Sequence, residues 1–401
     1  MTRTNRHLLG ILTAGTLLAC GGGSQGAFTA RDSAGVAIVE SHGPVWQGAE
    51  AWQVGAEPLL RIGTVEGEPE YQLHDVQGAV RLPNGSLALA NAGSNEIRFY
   101  DDRGRFIRAV GRAGDAPGEY RLITGLGVGP GDSLWVFDYG SRRLTVLTHD
   151  GGFVRLVTLG ATLSAPNAIG RFTDGSFALK EEWSFGHQDE RRAGLTRGIT
   201  AVTHMSPDGS TLDTIVTVRG REVFLSDENG RAVMSAPLFA RASSAAVSGN
   251  DVYVGDQEVF QILRYSTDGV LRQIIRKTGV DLGITRADVD LLIERELDRV
   301  PESRRAGTRA HLESMDLPPT RPAYGQFLVD EEGNLWTAEP TRYPYPARSW
   351  TVFASEGQLL GVVEMPERFR LHQVGPDWVL GGWRDELDVE FVVLFPLRKG
   401  E

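Results

Sequence analysis

Pro83-Asn84-Gly85-Ser86-Leu87-Ala88-Leu89-Ala90-Asn91, followed shortly by Asp101-Asp102-Arg103-Gly104, is the stretch that decides the fold. A tight turn opens an apolar run, and a second tight turn closes the next one. The pair recurs in the same order to the C-terminus. Openers stand at Pro130-Gly131-Asp132, Thr173-Asp174-Gly175, Gly249-Asn250-Asp251, Glu331-Glu332-Gly333 and Val374-Gly375-Pro376. Closers stand at Asp150-Gly151-Gly152, Pro207-Asp208-Gly209, Thr267-Asp268-Gly269 and Glu356-Gly357. Gly, Asn, Asp and Pro mark such turns because they supply positive φ, local side-chain bonds or a fixed φ.

The residues between turns alternate as strands do, for example Glu96-Ile97-Arg98-Phe99-Tyr100 and Arg143-Leu144-Thr145-Val146-Leu147. Each unit is therefore four short strands in roughly 40–50 residues, the size of one propeller blade. Six openers predict six blades. The sixth lacks a closer and ends after three strands, whereas Leu59-Leu60-Arg61-Ile62-Gly63, ahead of the first unit, reads as a spare fourth strand. The expectation is an all-β, six-bladed propeller closed by this N-terminal strand, since closure removes free sheet edges. Residues 280–322 break the pattern between the fourth and fifth units. Thr285-Arg286-Ala287-Asp288 looks like a capping box, and Val289, Leu292, Ile293 and Leu297 follow at helical spacing. A small helical insertion is predicted there, either a lid or a hairpin packed on the ring.

Two longer-range resemblances follow from named residues. Val110-Gly111-Arg112-Ala113-Gly114-Asp115-Ala116-Pro117-Gly118-Glu119-Tyr120, with an echo over residues 62–71, resembles the NHL-repeat propellers. The lead-in Asp32-Ser33-Ala34-Gly35-Val36-Ala37-Ile38-Val39-Glu40 resembles the N-termini of exported bacterial six-bladed propeller lipoproteins. Fold is what such a likeness implies; activity is not.

The chain has 401 residues, a net charge of −11 and one cysteine, Cys20. An acidic balance disfavours bulk nucleic-acid binding, which needs phosphate-neutralising bases. Arg3 and Arg6, an apolar stretch over residues 8–19 and Leu17-Leu18-Ala19-Cys20 resemble a bacterial lipobox. A signal peptide over 1–19, lipidated Cys20, a flexible tether over 20–34 and a propeller over 35–401 are expected. The protein would then sit in the cell envelope, held by its lipid, as a monomer.

In a four-stranded blade the tight turns share one face, and the long insertions fall on the other. Residues 181–198, 219–237, 279–322 and 339–348 are such insertions, and loops on a rigid scaffold are where binding concentrates. Trp183, His187, Arg342, Tyr343, Tyr345, Trp383 and Arg384 are the candidate binding residues, because aromatic and Arg side chains anchor interfaces. Their partner would be a protein, peptide or glycan. Aligning the second strands places Asn91, Asp138, Glu181, Asp256, Glu339 and Gly382 at equivalent exits. Asp138, Glu181, Asp256 and Glu339 could bind a divalent cation such as calcium, as in gluconolactonase-like propellers, or could tie down their own turns. His74, His187 and His372, from different blades, are a further possible metal set. No cofactor is required by any motif. The function expected is a binding or scaffold module; the alternative is a metal-dependent hydrolase or lactonase at the channel mouth.

Overall fold

A computed structural model describes residues 26–160, 163–183, 194–228, 231–341 and 346–400. It contains six sheets in chain order, over residues 76–110, 123–158, 166–235, 244–277, 327–364 and 369–398. Consecutive strands pair antiparallel throughout each of them. The recurring turns are built as their residues require. Gly85 and Gly104, at φ 85° and 75°, occupy the left-handed region that disfavours a side chain, and the other paired turns repeat this with their own glycines. Asn84 accepts from the Ser86 amide at 3.0 Å, and Asp101 accepts from the Arg105 amide at 2.8 Å. Each closing turn also shifts the register of its strand pair by one residue, as between Phe99 and Tyr100 or Val146 and Leu147.

The second strands read as almost continuous apolar runs for a packing reason. Leu87–Asn91 and Leu134–Asp138 are buried at every position, because neighbouring sheets cover both faces. Six apolar clusters lie between successive sheets. Val80, Ala88 and Phe99 meet Ile123 and Val136; Trp135 and Phe137 meet Phe177 and Leu179; Phe172 and Ile215 meet Val252 and Val254. Tyr253 and Ile262 meet Tyr324 and Phe353; Trp336 and Trp350 meet Phe369 and Val393; Trp378 and Leu380 meet Leu87 and Tyr100. The last cluster joins the sixth sheet to the first, so the six sheets form a closed ring.

The closing strand is where the sequence places it. Leu60–Ile62 pairs with the C-terminal strand, with Ile62 opposite Val392 and Leu60 opposite Leu394. Gln53–Val54 pairs further along the same strand, at Leu397 and Arg398. Gln373 reinforces the junction: its side chain accepts from the Arg81 amide at 2.7 Å and donates to Glu331 at 2.9 Å, linking three sheets.

Two expectations need correction. Residues 28–33, assigned to the flexible tether, form a strand that pairs with Val36–Ser41. That second strand joins Leu271–Lys277 in parallel, giving the fourth sheet six strands. The chain then runs over the fifth sheet, where Val45 and Trp46 donate to Leu359 and Leu360, before closing the sixth. Second, much of the loop expected over 219–237 is sheet. Gly194–Met205 and Leu212–Glu228 form a long hairpin, and Arg231–Ser235 adds a strand to it. Length overrides the loop reading here because Phe224 and Leu225 keep strand pairing with Met234 and Ser235.

The predicted insertion is a helix pair, α1 (Arg286–Leu297) and α2 (Glu302–Ser314). Thr285 and Asp288 form the capping box: the Thr285 hydroxyl accepts from the Asp288 amide at 3.2 Å, and Asp288 accepts from the Thr285 amide at 2.8 Å. Val289, Ile293 and Leu297 pack with Leu312, Met315 and Leu238, joined by Phe224 of the long hairpin. The insertion is thus packed onto the extension of the third sheet. Among the described residues no helix is long and apolar enough to cross a membrane.

Candidate functional site

The exits of the second strands show what the aligned polar residues do. Asn91 accepts from the His74 amide at 2.8 Å. Asp138 accepts from the amides of Arg121, Leu122, Gly140 and Ser141 at 2.9, 2.8, 3.0 and 3.3 Å, and from the Ser141 hydroxyl. Glu181 accepts from the Ser164 amide at 3.3 Å. In the first three sheets, then, the side chain reaches an amide two residues ahead of the innermost strand and latches the incoming connector. The fourth sheet shifts the role by one residue. Gln257, in the left-handed region at φ 63° and buried, accepts from the Ala242 amide at 2.8 Å. Asp256 instead accepts from the Glu258 amide at 3.2 Å and offers its carbonyl to Arg197. Glu339 binds the amides of Arg348 and Ser349 at 2.7 and 3.2 Å, and Gly382 has no side chain to contribute.

These surroundings move the ionisation of Asp138 and Glu181 in opposite directions. Burial pushes the Asp138 carboxyl up, but the Ser141 hydroxyl and the amides more than offset it and hold it below the ordinary value. Its stabilising contribution is therefore present above the unfolded carboxylate range and is lost as pH falls through the depressed value. Asp138→Ala should cost about 1.5–3 kcal/mol, read by denaturant unfolding at neutral pH, because buried amides lose a charged acceptor. Glu181 goes the other way, raised by desolvation that its few bonds do not offset. Stability should fall as pH rises from the unfolded value through the raised one, and Glu181→Gln should flatten that slope in a pH series of unfolding midpoints.

Asp138, Glu181, Asp256 and Glu339 are thus spent on local amides, and the described residues contain no group of three or more His, Cys, Asp or Glu placed to hold a metal. Of the histidine set, only His74 and His372 lie among the described residues. His74 lends only its backbone to Asn91. His372 stands beside Gly382 with a buried, unpartnered Nε2, and burial, with Arg370 nearby, pushes it down to about 3.

Of the candidate binding residues, His187, Arg342, Tyr343 and Tyr345 lie outside the described residues, as does Cys20. Trp183 is placed by its backbone, paired with Ile199. Trp383 packs inward: its Nε1 donates to the Glu367 carbonyl at 3.0 Å, and its ring lies 5.6 Å from Phe391, with Arg61 stacked above. Arg384 pairs with Glu390 and with Asp388 at 3.5 Å. Neither offers a free anchor, because both serve the hairpin that carries them.

What sequence reasoning missed is the floor of the insertion. Arg241 and Glu222 form a buried pair: Nε donates to Oε1 at 2.9 Å, and the Arg241 amide donates to Oε2 at 2.8 Å. Arg241 also reaches Thr320 at 3.3 Å, fastening the end of the insertion to the third sheet. Arg197 lies alongside, donating to the Gly220 carbonyl at 2.9 Å and facing Glu258 at 3.6 Å. Between the start of α1 and the end of α2 opens a cavity of about 450 Å³. Ile284, Val289, Leu312, Met315, Leu317 and the two prolines Pro318 and Pro319 line it, with Thr285, Arg286 and Glu313 as its polar members.

No protein-family model matches the chain, and no curated protein matches it. Solved structures do. One is a member of the DUF4221 family from Bacteroides vulgatus, at 12% identity and TM-score 0.52, covering 88% of this chain and all of that one. Others are a candidate exported protein from Bacteroides fragilis (14%, TM-score 0.49, 91% and 99% covered) and a gluconolactonase from Xanthomonas campestris (15%, 0.44, 86% and 100%). The chain is a β-propeller. At these identities the likeness concerns the fold and carries no chemistry.

Proposed function

We propose that the chain is a six-bladed, NHL-like propeller, one blade per sheet, that holds an extended segment of a partner protein in the groove between α1 and α2. The groove itself carries this reading: it is a cavity of about 450 Å³, its helices pack on the long hairpin of the third sheet, and seven of its ten lining residues are apolar. Arg286 and Glu313 add opposite charges for register. A peptide suits this lining better than a glycan, which would need aromatic platforms that Trp383 does not supply. Leu317, 38% exposed, is the apolar contact open to a partner.

The lipidated form belongs to the same proposal. With Cys20 acylated, the short segment to Phe28 could reach at most about 26–29 Å at about 3.3–3.6 Å per residue, so the rim of the fourth sheet would ride close to the bilayer. An extracytoplasmic location follows from that anchor, and the protein acts there as a monomer in this proposal.

The test is retention of partner by purified full-length protein from envelope extract, compared with Leu317→Glu and Arg286→Glu. At least a tenfold loss of the retained protein, with unchanged unfolding midpoints, is expected; equal retention would refute the groove. The lactonase alternative needs the ring carboxylates free to share a cation, and their amide bonds oppose it. Calcium up to about 1 mM should leave the unfolding midpoint unmoved, whereas a saturable rise would revive that alternative.

A further inference from the structure

On the opposite, tight-turn face, between the second and third sheets, lies a smaller cavity of about 220 Å³. Arg155 and Arg171 line it, with His149, Ser133 and Thr148. The two arginines come from different sheets, yet both point their Nη2 donors at one acceptor, the Gly175 carbonyl, at 3.4 and 2.9 Å. Arg171 has further bonds, Nη1 to Ser133 Oγ at 2.8 Å and Nε to the same carbonyl at 3.3 Å. Arg155 has little else, and its Nε is buried without a partner.

Neither guanidinium forms an ion pair with any described carboxylate. The acids nearby are committed elsewhere. Asp174 accepts from the Ser176 amide at 2.9 Å and its hydroxyl at 2.5 Å, capping its own turn. Asp150 binds the Thr148 hydroxyl and faces Arg108 at 3.8 Å. Two permanent cations have thus been drawn together over a neutral carbonyl, an arrangement that repels itself unless an anion joins it. Burial and the neighbouring Arg155 work against the charge on Arg171, and Asp174, bonded within its own turn, offsets them only in part.

We infer that this cavity binds a doubly charged oxyanion, a phosphate or sulfate group, held between Arg155 and Arg171. Charge sets the class: a dianion balances two guanidiniums, and the planar fork suits its oxygens. The site does not depend on the groove or on lipidation.

Full-length protein is titrated with sodium phosphate, sulfate or acetate at constant ionic strength, with chloride as the balance, and unfolding is followed by fluorescence. Phosphate and sulfate should raise the midpoint saturably, and acetate should have at least a tenfold weaker effect. Arg155→Gln, which removes one long bond to Gly175 and relieves the repulsion on Arg171, should keep or raise the ion-free midpoint yet weaken phosphate binding at least tenfold. Calorimetry on the same variant reads the loss independently of stability. Comparing inorganic phosphate with a sugar phosphate separates sources: equal binding marks a free ion, and tighter binding of the ester marks a group on a larger ligand. A shift that follows ionic strength alone, or that is the same in Arg155→Gln, would overturn the assignment.

Discussion

Removal of residues 26–64 should abolish cooperative folding of the ring, leaving a species that elutes as aggregate and lacks a sharp unfolding transition. The deletion takes away Leu60–Ile62, so the strand Glu390–Arg398 becomes an open edge beside Val392 and Leu394. An exposed apolar edge templates association. It also strips Ile62, 1% exposed, from the cluster that joins the sixth sheet to the first. That cluster makes the sheets a ring rather than an arc, so its loss falls on two sheets at once. A single truncation gives the scale: Ile62→Ala should cost about 2–5 kcal/mol in denaturant unfolding, a large part of the 5–15 kcal/mol typical of a folded domain. If the deleted chain instead unfolds cooperatively at the full-length midpoint, the closure is dispensable. A synthetic peptide spanning residues 53–64 supplied in trans should partly restore the transition, because its strand has a defined berth.

Glu222→Ala should destabilise the protein by about 3–5 kcal/mol, the range for stranding one member of a buried ion pair. Glu222 and Arg241 are 2% and 5% exposed, so the residual guanidinium would keep its charge away from water and without its hydrogen-bonded carboxylate, left only the longer-range pull of Glu258 and Asp256. Burial disfavours the Arg241 charge, but the bond to Glu222 more than offsets this and raises its affinity for the proton. The paired backbones strengthen the coupling, since the Glu222 amide donates to the Arg241 carbonyl at 2.8 Å. The replacement Glu222→Leu with Arg241→Met should recover most of the loss, because two apolar groups leave no charge to solvate. A double variant as unstable as the single one would show that the pair holds the hairpin by shape rather than by charge. Because Arg241 also bonds Thr320, the single variant should loosen the insertion first, visible as faster amide exchange in α1 and α2 than in the ring.

The ring was legible in the sequence because its information is local and repeated. The Asn84-Gly85 and Arg103-Gly104 turns declare themselves, and counting them exposes both the missing sixth closer and the strand at Leu60–Ile62 that replaces it. The polar exits were legible as positions, but their job was visible only with coordinates: Asp138 could meet a cation or four amides, and spacing alone does not choose. Gln257 escaped because one residue in the left-handed conformation displaces the latch from Asp256, a shift that strand alignment cannot register. The strand Phe28–Ser33 looked like tether because it is held by Val36–Ser41, whose own ladder partner, Leu271–Lys277, lies far away in sequence. The pairs Glu222–Arg241 and Arg155–Arg171 are likewise products of the ring, joining residues that no short motif connects. Aromatic richness does not reveal that the half-buried Trp383 ring packs against Phe391 and beneath Arg61.

Site-specific photocrosslinking tests most directly whether the groove between α1 and α2 receives a partner. A photoreactive residue at position 317, in full-length protein within its own cells, should yield one dominant protein adduct. The same probe at position 270, an exposed valine in a tight turn of the other face, should yield none. Adduct formation at both positions alike, or at neither, would contradict the account.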